Sequence, residues 1–437
     1  MKNNHYTLYT VLFLIISCAF VSTVYYQQKT NALVIMVPAQ EQVANVLISD
    51  VGTSSKPIQS KNTNRITFIA VGDIMVHQDQ LNSAYDKKTD SYDFSEYFKN
   101  INSYLKDGDM VYANLETSVA GKELKYSGYP KFNAPTELLE ELKKNNFTHL
   151  SVANNHALDR GWVGLSNTIR NVKDAGMIPL GAREVGASTS IQSSPQKNTS
   201  IDTGAVTAAS SSVVNYQITE KNGVKVGFLS YTYDTNGFTL PKNKKGMISY
   251  IDKEQIVKDL DDVKKQGVDV IIVAYHFGVE YQKFETSQQR ELGQLACDNG
   301  ANFIIGTHPH VLEPVRYLTN SNDKNSTCMI AYSLGNFISG MPNLYTDLGG
   351  ILKIKISKMS EATEYERGRI GIIKKSFMGT WVKRGLDQDG RKYFTVVPMQ
   401  KELIPTDIEV TTSEAKRLDI YRNFVHTKID VELTNVE

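Results

Sequence analysis

Asp73, Glu116, Asn155, His156, His276, His308 and His310 carry side chains that can ligate metals or move protons, and each stands at the end of a short apolar run. Together they offer carboxylate and amide oxygens and imidazole nitrogens, with no thiolate. A donor set so rich in imidazole suits Mn, Fe or Zn, whereas a Mg or Ca site seldom recruits several histidines. Two ions held close together need a bridging carboxylate, neutral imidazoles and an amide oxygen, and this set contains each. Such a pair lowers the pKa of a bound water and clamps the oxygens of an in-line displacement at phosphorus. His308-Pro309-His310 reads as an extended segment whose alternate residues turn to one side. Taken singly the signals are weak, since Gly72-Asp73 also reads as a plain turn and Asn154-Asn155-His156 as a capped loop. Their joint occurrence at successive strand ends is what points to a site. His149 lies inside a strand-like run and reads as a packed core histidine; His5 and His426 sit in terminal segments and read as solvent-facing.

The elements that must position these residues are legible as alternating patterns. Apolar runs at 66–73, 110–116, 148–156, 268–276 and 303–310 read as buried strands delivering Asp73, Glu116, Asn155 with His156, His276, and His308 with His310. Helix-like stretches at 136–145, 165–175, 253–266 and 285–299 lie between them, the last closed by Asn299-Gly300. Alternation of this kind predicts an α/β layered body around a largely parallel sheet, with polar residues gathered at one rim where ligands bind. Beyond residue 340 the style changes. Residues 351–356 alternate cleanly and 393–397 read as a strand, so a β-rich portion packed on the body is expected, followed by a polar helix near 413–423.

The ends and the balance of charge bound the rest. Lys and Arg number 48 against 47 Asp and Glu, a near-zero balance that sets aside a strongly basic nucleic-acid binder. The three cysteines, Cys18, Cys297 and Cys328, are too few for a disulfide scaffold or a Cys-rich zinc module. Residues 6–26 carry no charge; about 21 residues at 1.5 Å each reach across roughly 30 Å of hydrocarbon. They read as a single N-terminal membrane anchor; cleavage near Thr30 and Ala32, or lipidation at Cys18, are the alternatives, and each places the body outside the cytoplasm. The organisation read from the sequence is an anchor at 1–30, a Ser/Thr/Asn/Gln-rich tether at 31–64, a main domain at 65–340 and a C-terminal extension at 341–437. Within the main domain, 188–212 is too polar to bury much and reads as a flexible insertion, with an ordered substrate lid as the alternative.

Six ordered motifs make a sharper resemblance: Val71-Gly72-Asp73-Ile74-Met75; Asn114-Leu115-Glu116; Ala153-Asn154-Asn155-His156 with Asp159-Arg160-Gly161; Tyr275-His276-Phe277-Gly278; Gly306-Thr307-His308-Pro309-His310; and Tyr332-Ser333-Leu334-Gly335-Asn336-Phe337. They resemble the CapA-type poly-γ-glutamate capsule biosynthesis family, whose domain is similar to the calcineurin-like metallophosphoesterases. That resemblance implies a metallophosphatase-like sandwich of two central sheets flanked by helices. It implies a first metal held by Asp73 and His310, a bridging Glu116, and a second metal held by Asn155, His276 and His308. His156 would be the general acid or the group that orients the leaving oxygen. Two departures from the family pattern bear on metal affinity: Asp73 is followed by Met75, with His77 farther along, in place of Asp-x-His, and Glu116 replaces the customary Asp. The implied role is a membrane-held, extracytoplasmic component of a bacterial machine that makes or exports an anionic capsule polymer. Its partners would be membrane-embedded synthesis or export proteins. A stand-alone cell-envelope phosphoesterase and a non-catalytic polymer-binding scaffold are the competing readings.

Overall fold

The computed structural model describes residues 64–185, 214–358, 370–388 and 390–429. The expected anchor, nearly all of the tether and the 188–212 insertion lie outside the described residues. Among the described residues no helix is long and apolar enough to cross a membrane.

Chain order explains how the layers assemble. β1 (Arg65–Ile74) is buried from Phe68 onward. It is followed by α1 (Gln78–Ala84), a small hairpin of β2 (Tyr85–Asp86) and β3 (Ser91–Tyr92), and α2 (Asn102–Lys106). Then come β4 (Met110–Leu115), α3 (Glu137–Lys144), β5 (His149–Ser151), α4 (Gly161–Asp174) and β6 (Ile178–Leu180). The second half runs β7 (Tyr216–Lys221), β8 (Val224–Thr232), α5 (Lys253–Lys265), β9 (Val270–His276), α6 (Ser287–Asp298), β10 (Phe303–Thr307), β11 (Val315–Thr319) and β12 (Thr327–Ala331). The chain closes with β13 (Asn336–Ile338), β14 (Leu348–Lys358), β15 (Ile370–Leu386), β16 (Lys392–Pro398) and α7 (Thr412–Lys428).

Two sheets result. The first has the order β16-β15-β14-β1-β4-β5-β6, with β13 also pairing with β1, and the second has the order β11-β12-β10-β9-β8-β7. They pack face to face, and the period of two along each strand divides its side chains between layers. Ile66, Phe68 and Ala70 of β1 join Val226 and Phe228 of β8 and Ile272 of β9 between the sheets. Ile69 and Val71 face the other way, toward a layer holding residues of α3 and α4. Leu229, Ile271 and Val273 likewise face Ile256, Leu260 and Val263 of α5, an i, i+4, i+7 stripe. That helix starts where Asp252 accepts a hydrogen bond from the Gln255 amide at 2.9 Å, and α6 starts at a capping box of Thr286 and Gln289.

The expected parallel core is present at the centre of both sheets, where β12, β10, β9 and β8 of the second are also parallel, and the C-terminal edge of the first departs from it. β1, β4, β5, β6 and β13 are parallel, but β14, β15 and β16 pair antiparallel. These three strands are consecutive in chain order among the described elements, and paired strands that are neighbours in sequence usually run antiparallel. They do not form a layer beside the body: β14 lies against β1 from Arg65↔Ser357 to Val71↔Ile351, so the C-terminal strands extend the first sheet itself. Also unforeseen is the Cys297–Cys328 disulfide, with Cα atoms 5.7 Å apart, which ties the end of α6 to β12.

Candidate metal centre

The two sheets end in facing rows of polar residues. On the first, Asn114, Asp73 and Asn336 pair side by side across β4, β1 and β13. On the second, Thr232, His276 and Thr307 do the same across β8, β9 and β10. Gly72 and Asp73 are therefore strand residues and not the turn suggested by the sequence. Gly72 is needed because a Cβ there would sit 1.9 Å from the carbonyl oxygen of Gly335. The His308-Pro309-His310 segment is not extended either. β10 ends at Thr307, and His308 and His310 adopt φ values of 102° and 59°, conformations that cost energy for residues with a Cβ and that cluster at functional sites. The bends, not strand alternation, bring both imidazoles to the cluster.

All seven residues predicted from the sequence meet there. Asp73, Glu116, Asn155, His156, His276, His308 and His310 are all buried. Ligand atoms of Glu116, His308 and His310 lie within 4.8 Å of one another, as do those of Asp73, Glu116 and His276, so Glu116 is common to both triads. The allocation implied by the family resemblance pairs Asp73 with His310, and their Oδ2 and Nδ1 atoms are 3.3 Å apart. It also pairs Asn155 with His276, whose Oδ1 and Nε2 atoms are 3.0 Å apart.

Whether the residues suit a metal is decided by what their polar atoms lack. Both carboxylate oxygens of Glu116 and the Nδ1 of His308 are buried with no protein donor in hydrogen-bond range, and the Asp73 carboxyl is the group close enough to share a proton with Glu116. The nitrogens nearest to Glu116 Oε1 are His276 Nε2 at 3.6 Å and His310 Nε2 at 3.7 Å, too long for hydrogen bonds. Neighbouring amides fix the ring protons. Asn336 donates to the Thr346 carbonyl at 2.8 Å, which turns its Oδ1 toward His310 Nδ1 at 3.1 Å. His310 then carries its proton on Nδ1 and aims the lone pair of Nε2 at the Glu116 carboxylate. A lone pair facing a buried carboxylate is repulsive unless a proton or a metal ion lies between them. On the opposite side Asn114 Nδ2 donates to Asp73 Oδ1 at 2.8 Å and faces His276 Nδ1 at 3.2 Å. The donor set thus fits divalent metal.

Electrostatics agree. Burial, and then the Asp73 carboxylate, push the Glu116 carboxyl well above the usual range. Burial pushes the His308 imidazole down to about 3 and His276 well below its ordinary value, so both are neutral, the form that ligates. His156 stands apart from the triads. Its Nδ1 lies 2.8 Å from Asp159 Oδ2, an oxygen that also accepts from the Phe132 amide at 2.7 Å. Asp159 sits inside a quoted motif, but its role as the orienting carboxylate emerged only from the structure. The positioning amides Asn114 and Asn336 were likewise quoted without a role, and only their cross-strand pairing with Asp73 reveals one.

The fold and site define a two-sheet α/β protein with a buried His/Asp/Glu cluster at one rim that could hold a metal ion. The family model described as bacterial capsule synthesis protein PGA_cap matches residues 67–211 and 196–341, more than half of the chain, and the chain belongs to that family. It is 29% identical over 293 residues to the capsule biosynthesis protein CapA of Bacillus anthracis, covering 64% of this chain and 62% of that protein. It is also 29% identical over 271 residues to the PGA biosynthesis protein CapA of Bacillus subtilis, covering 61% of this chain and 62% of that protein. The matched region thus spans less than two thirds of each relative. Among solved structures, it resembles the calcineurin-like phosphoesterase YfkN of Bacillus subtilis with a TM-score of 0.39 and 17% identity, covering 83% of this chain and 98% of that one.

Proposed function

We propose that this protein is a membrane-held, extracytoplasmic component of bacterial capsule synthesis or export, acting on an anionic polymer of the poly-γ-glutamate type through a dinuclear centre of Mn, Fe or Zn. The observation that carries the metal part is the buried Glu116 carboxylate, left without a protein donor in hydrogen-bond range among imidazoles. Family membership carries the capsule part. Asp73 and His310 would hold one ion and Asn155, His276 and His308 the other, with Glu116 common to both groups of ligand atoms. When bound, the metals supply an activated water and neutralise charge developing on an oxyanion. His156 would act on a leaving oxygen as the imidazolium, its Nδ1–H held by Asp159 Oδ2 at 2.8 Å and its Nε2–H given to that oxygen or orienting it. The membrane-embedded synthesis or export proteins of the capsule are the expected partners. The Cys297–Cys328 bridge favours an oxidising compartment, where such bonds persist.

A second reading, a stand-alone cell-envelope phosphoesterase, is favoured by the His156–Asp159 pair, since a scaffold has no use for an oriented proton donor. The test is complementation of a deletion strain. Restoration of capsule by wild type but by neither His308→Ala nor His156→Ala supports a catalytic role in polymer output. Full restoration by both variants would leave only a scaffold. Protease added to intact protoplasts should digest the body, and full protection would refute the outward placement.

A further inference from the structure

The geometry points to a second binding site beside the metal centre: a cleft of about 670 Å³ between the start of α1 and the β15–β16 hairpin. We propose that it holds an anionic group of the substrate, carboxylate or phosphate, remote from the reacting bond. Calling the occupant part of the substrate rests on the metal-centre reading above. The cleft's preference for anions does not.

Charge is the first argument. His77, Asp79, Arg384 and Lys392 line the cleft together with the apolar faces of Tyr129 and Phe394. Asp79 is already engaged by Lys392, Oδ2 to Nζ at 2.6 Å. Arg384 makes no close ion pair among the described residues, and the carboxylates that attract it, Asp347 and Asp79, act from beyond ion-pair distance. Its guanidinium donates to the main-chain oxygens of Gly340 at 3.3 Å and Met341. A guanidinium has five N–H groups, so three remain without a protein partner among the described residues. A half-buried cation with unused donors opening on a cleft is the arrangement that binds carboxylate or phosphate through paired N–H groups. His77 adds a donor, because its Nδ1 accepts from the Gly340 amide at 3.2 Å, which leaves the ring proton on Nε2.

Position is the second argument. The Phe132 ring is 5.2 Å from His77 on the cleft side and 4.7 Å from His156 on the metal side. β13 begins at Asn336, the partner of His310 Nδ1, and the segment that follows it supplies the Gly340 and Met341 carbonyls that hold Arg384. One short stretch of chain thus touches both a ligand of the centre and the cation of the cleft. The family match ends at residue 341, so Arg384, Leu386 and Lys392 come from outside it. The C-terminal hairpin is therefore a specificity element for a substrate with more than one negative charge.

The test uses the full chain stripped of divalent ions by a chelator, so that only the cleft can take the anion. Two probes, a γ-linked glutamate hexamer and tripolyphosphate, separate carboxylate from phosphate as the source. Wild type should bind at least one of them, with affinity falling as salt rises. Arg384→Gln should weaken binding roughly tenfold and Arg384→Lys less, because Lys keeps the charge but not the fork. Leu386 is 67% exposed at the lip, so Leu386→Glu should weaken binding several-fold by repulsion without disturbing the fold. It keeps the test decisive should Arg384→Gln melt early. Asp73→Asn should bind the probes as wild type does. Wild type that binds the probes yet takes up no metal would sink the metal reading alone. Binding of neither probe by wild type, or wild-type affinity in both Arg384→Gln and Leu386→Glu, would overturn the cleft proposal.

Discussion

His149 and His308 are buried to the same degree, 1% and 3% exposed, and burial pushes both imidazoles down to about 3. Their surroundings are opposite. His149 is bracketed by threonine hydroxyls, Thr148 at 2.8 Å from Nδ1 and Thr219 at 2.9 Å from Nε2, and stacks on Phe228 at 4.2 Å. His308 has no partner for Nδ1, stands in a left-handed backbone conformation, and lies beside a carboxylate that has no protein donor either. The first environment satisfies a neutral ring completely and leaves nothing to bind. The second leaves several polar atoms unsatisfied in one place, a cost that an arriving cation removes for all of them at once. Burial does not distinguish a structural histidine from a ligand; the accounting of lone pairs and protons does.

The comparison is broken most severely by Glu116→Gln. It removes the negative charge shared by both triads, so metal should be lost and any hydrolytic or polymer-forming output should fall by a factor of about 1,000, on the scale expected for losing metal-based charge stabilisation. Calorimetry sharpens the point: the metal-free variant should melt no lower than metal-free wild type, because an unsatisfied buried carboxyl is no asset without its ion. His149→Ala should behave in the opposite way. Losing the ring and the partner of the Thr219 hydroxyl should cost about 3 kcal/mol in denaturant unfolding, with metal content unchanged.

A third effect appears in pH. The folded pKa of His149, about 3, lies below its ordinary value of 6.5, so below pH 6.5 the unfolded chain takes up a proton that the native state refuses. Stability should fall as pH drops from 6.5 toward 3, by about 1.4 kcal/mol per unit from this group alone. Comparison of metal-free wild type with His149→Asn between pH 7 and 5 should show a flatter acid limb in the variant; parallel limbs would refute the assignment. The smallest effect is expected for Asp159→Asn. It leaves every ligand in place but weakens the orientation of His156, so activity should drop about tenfold while metal content stays at the wild-type level.

How much of this was legible in the sequence follows from the kind of signal each feature leaves. Strand ends that deliver ligands announce themselves, because a buried strand needs a continuous apolar run and Asp73 or His276 interrupts it. The helices at 253–265 and 287–298 were legible from their periodicity and caps. β15, with 17 residues the longest strand described, was missed because Lys374, Lys375 and Ser376 break its alternation. The bends at His308 and His310 were misread as extended because φ leaves no composition signal in a His-Pro-His sequence. Asn336 and Asp159 matter through pairing across strands or with one side chain, which no spacing rule encodes. Arg384 was invisible for the same reason: its partners are main-chain oxygens 43 and 44 residues away.

The central claim is that the rim cluster is a metal centre and His149 is not part of it. The most direct measurement is metal content by atomic emission of the purified full chain, reconstituted separately with Mn, Fe and Zn and freed of excess ion. For at least one of these metals, wild type and His149→Asn should each retain about two ions per chain, and Glu116→Gln less than one. Wild type that retains no ion with any of the three metals, or a Glu116→Gln variant that retains as much as wild type, would contradict the account.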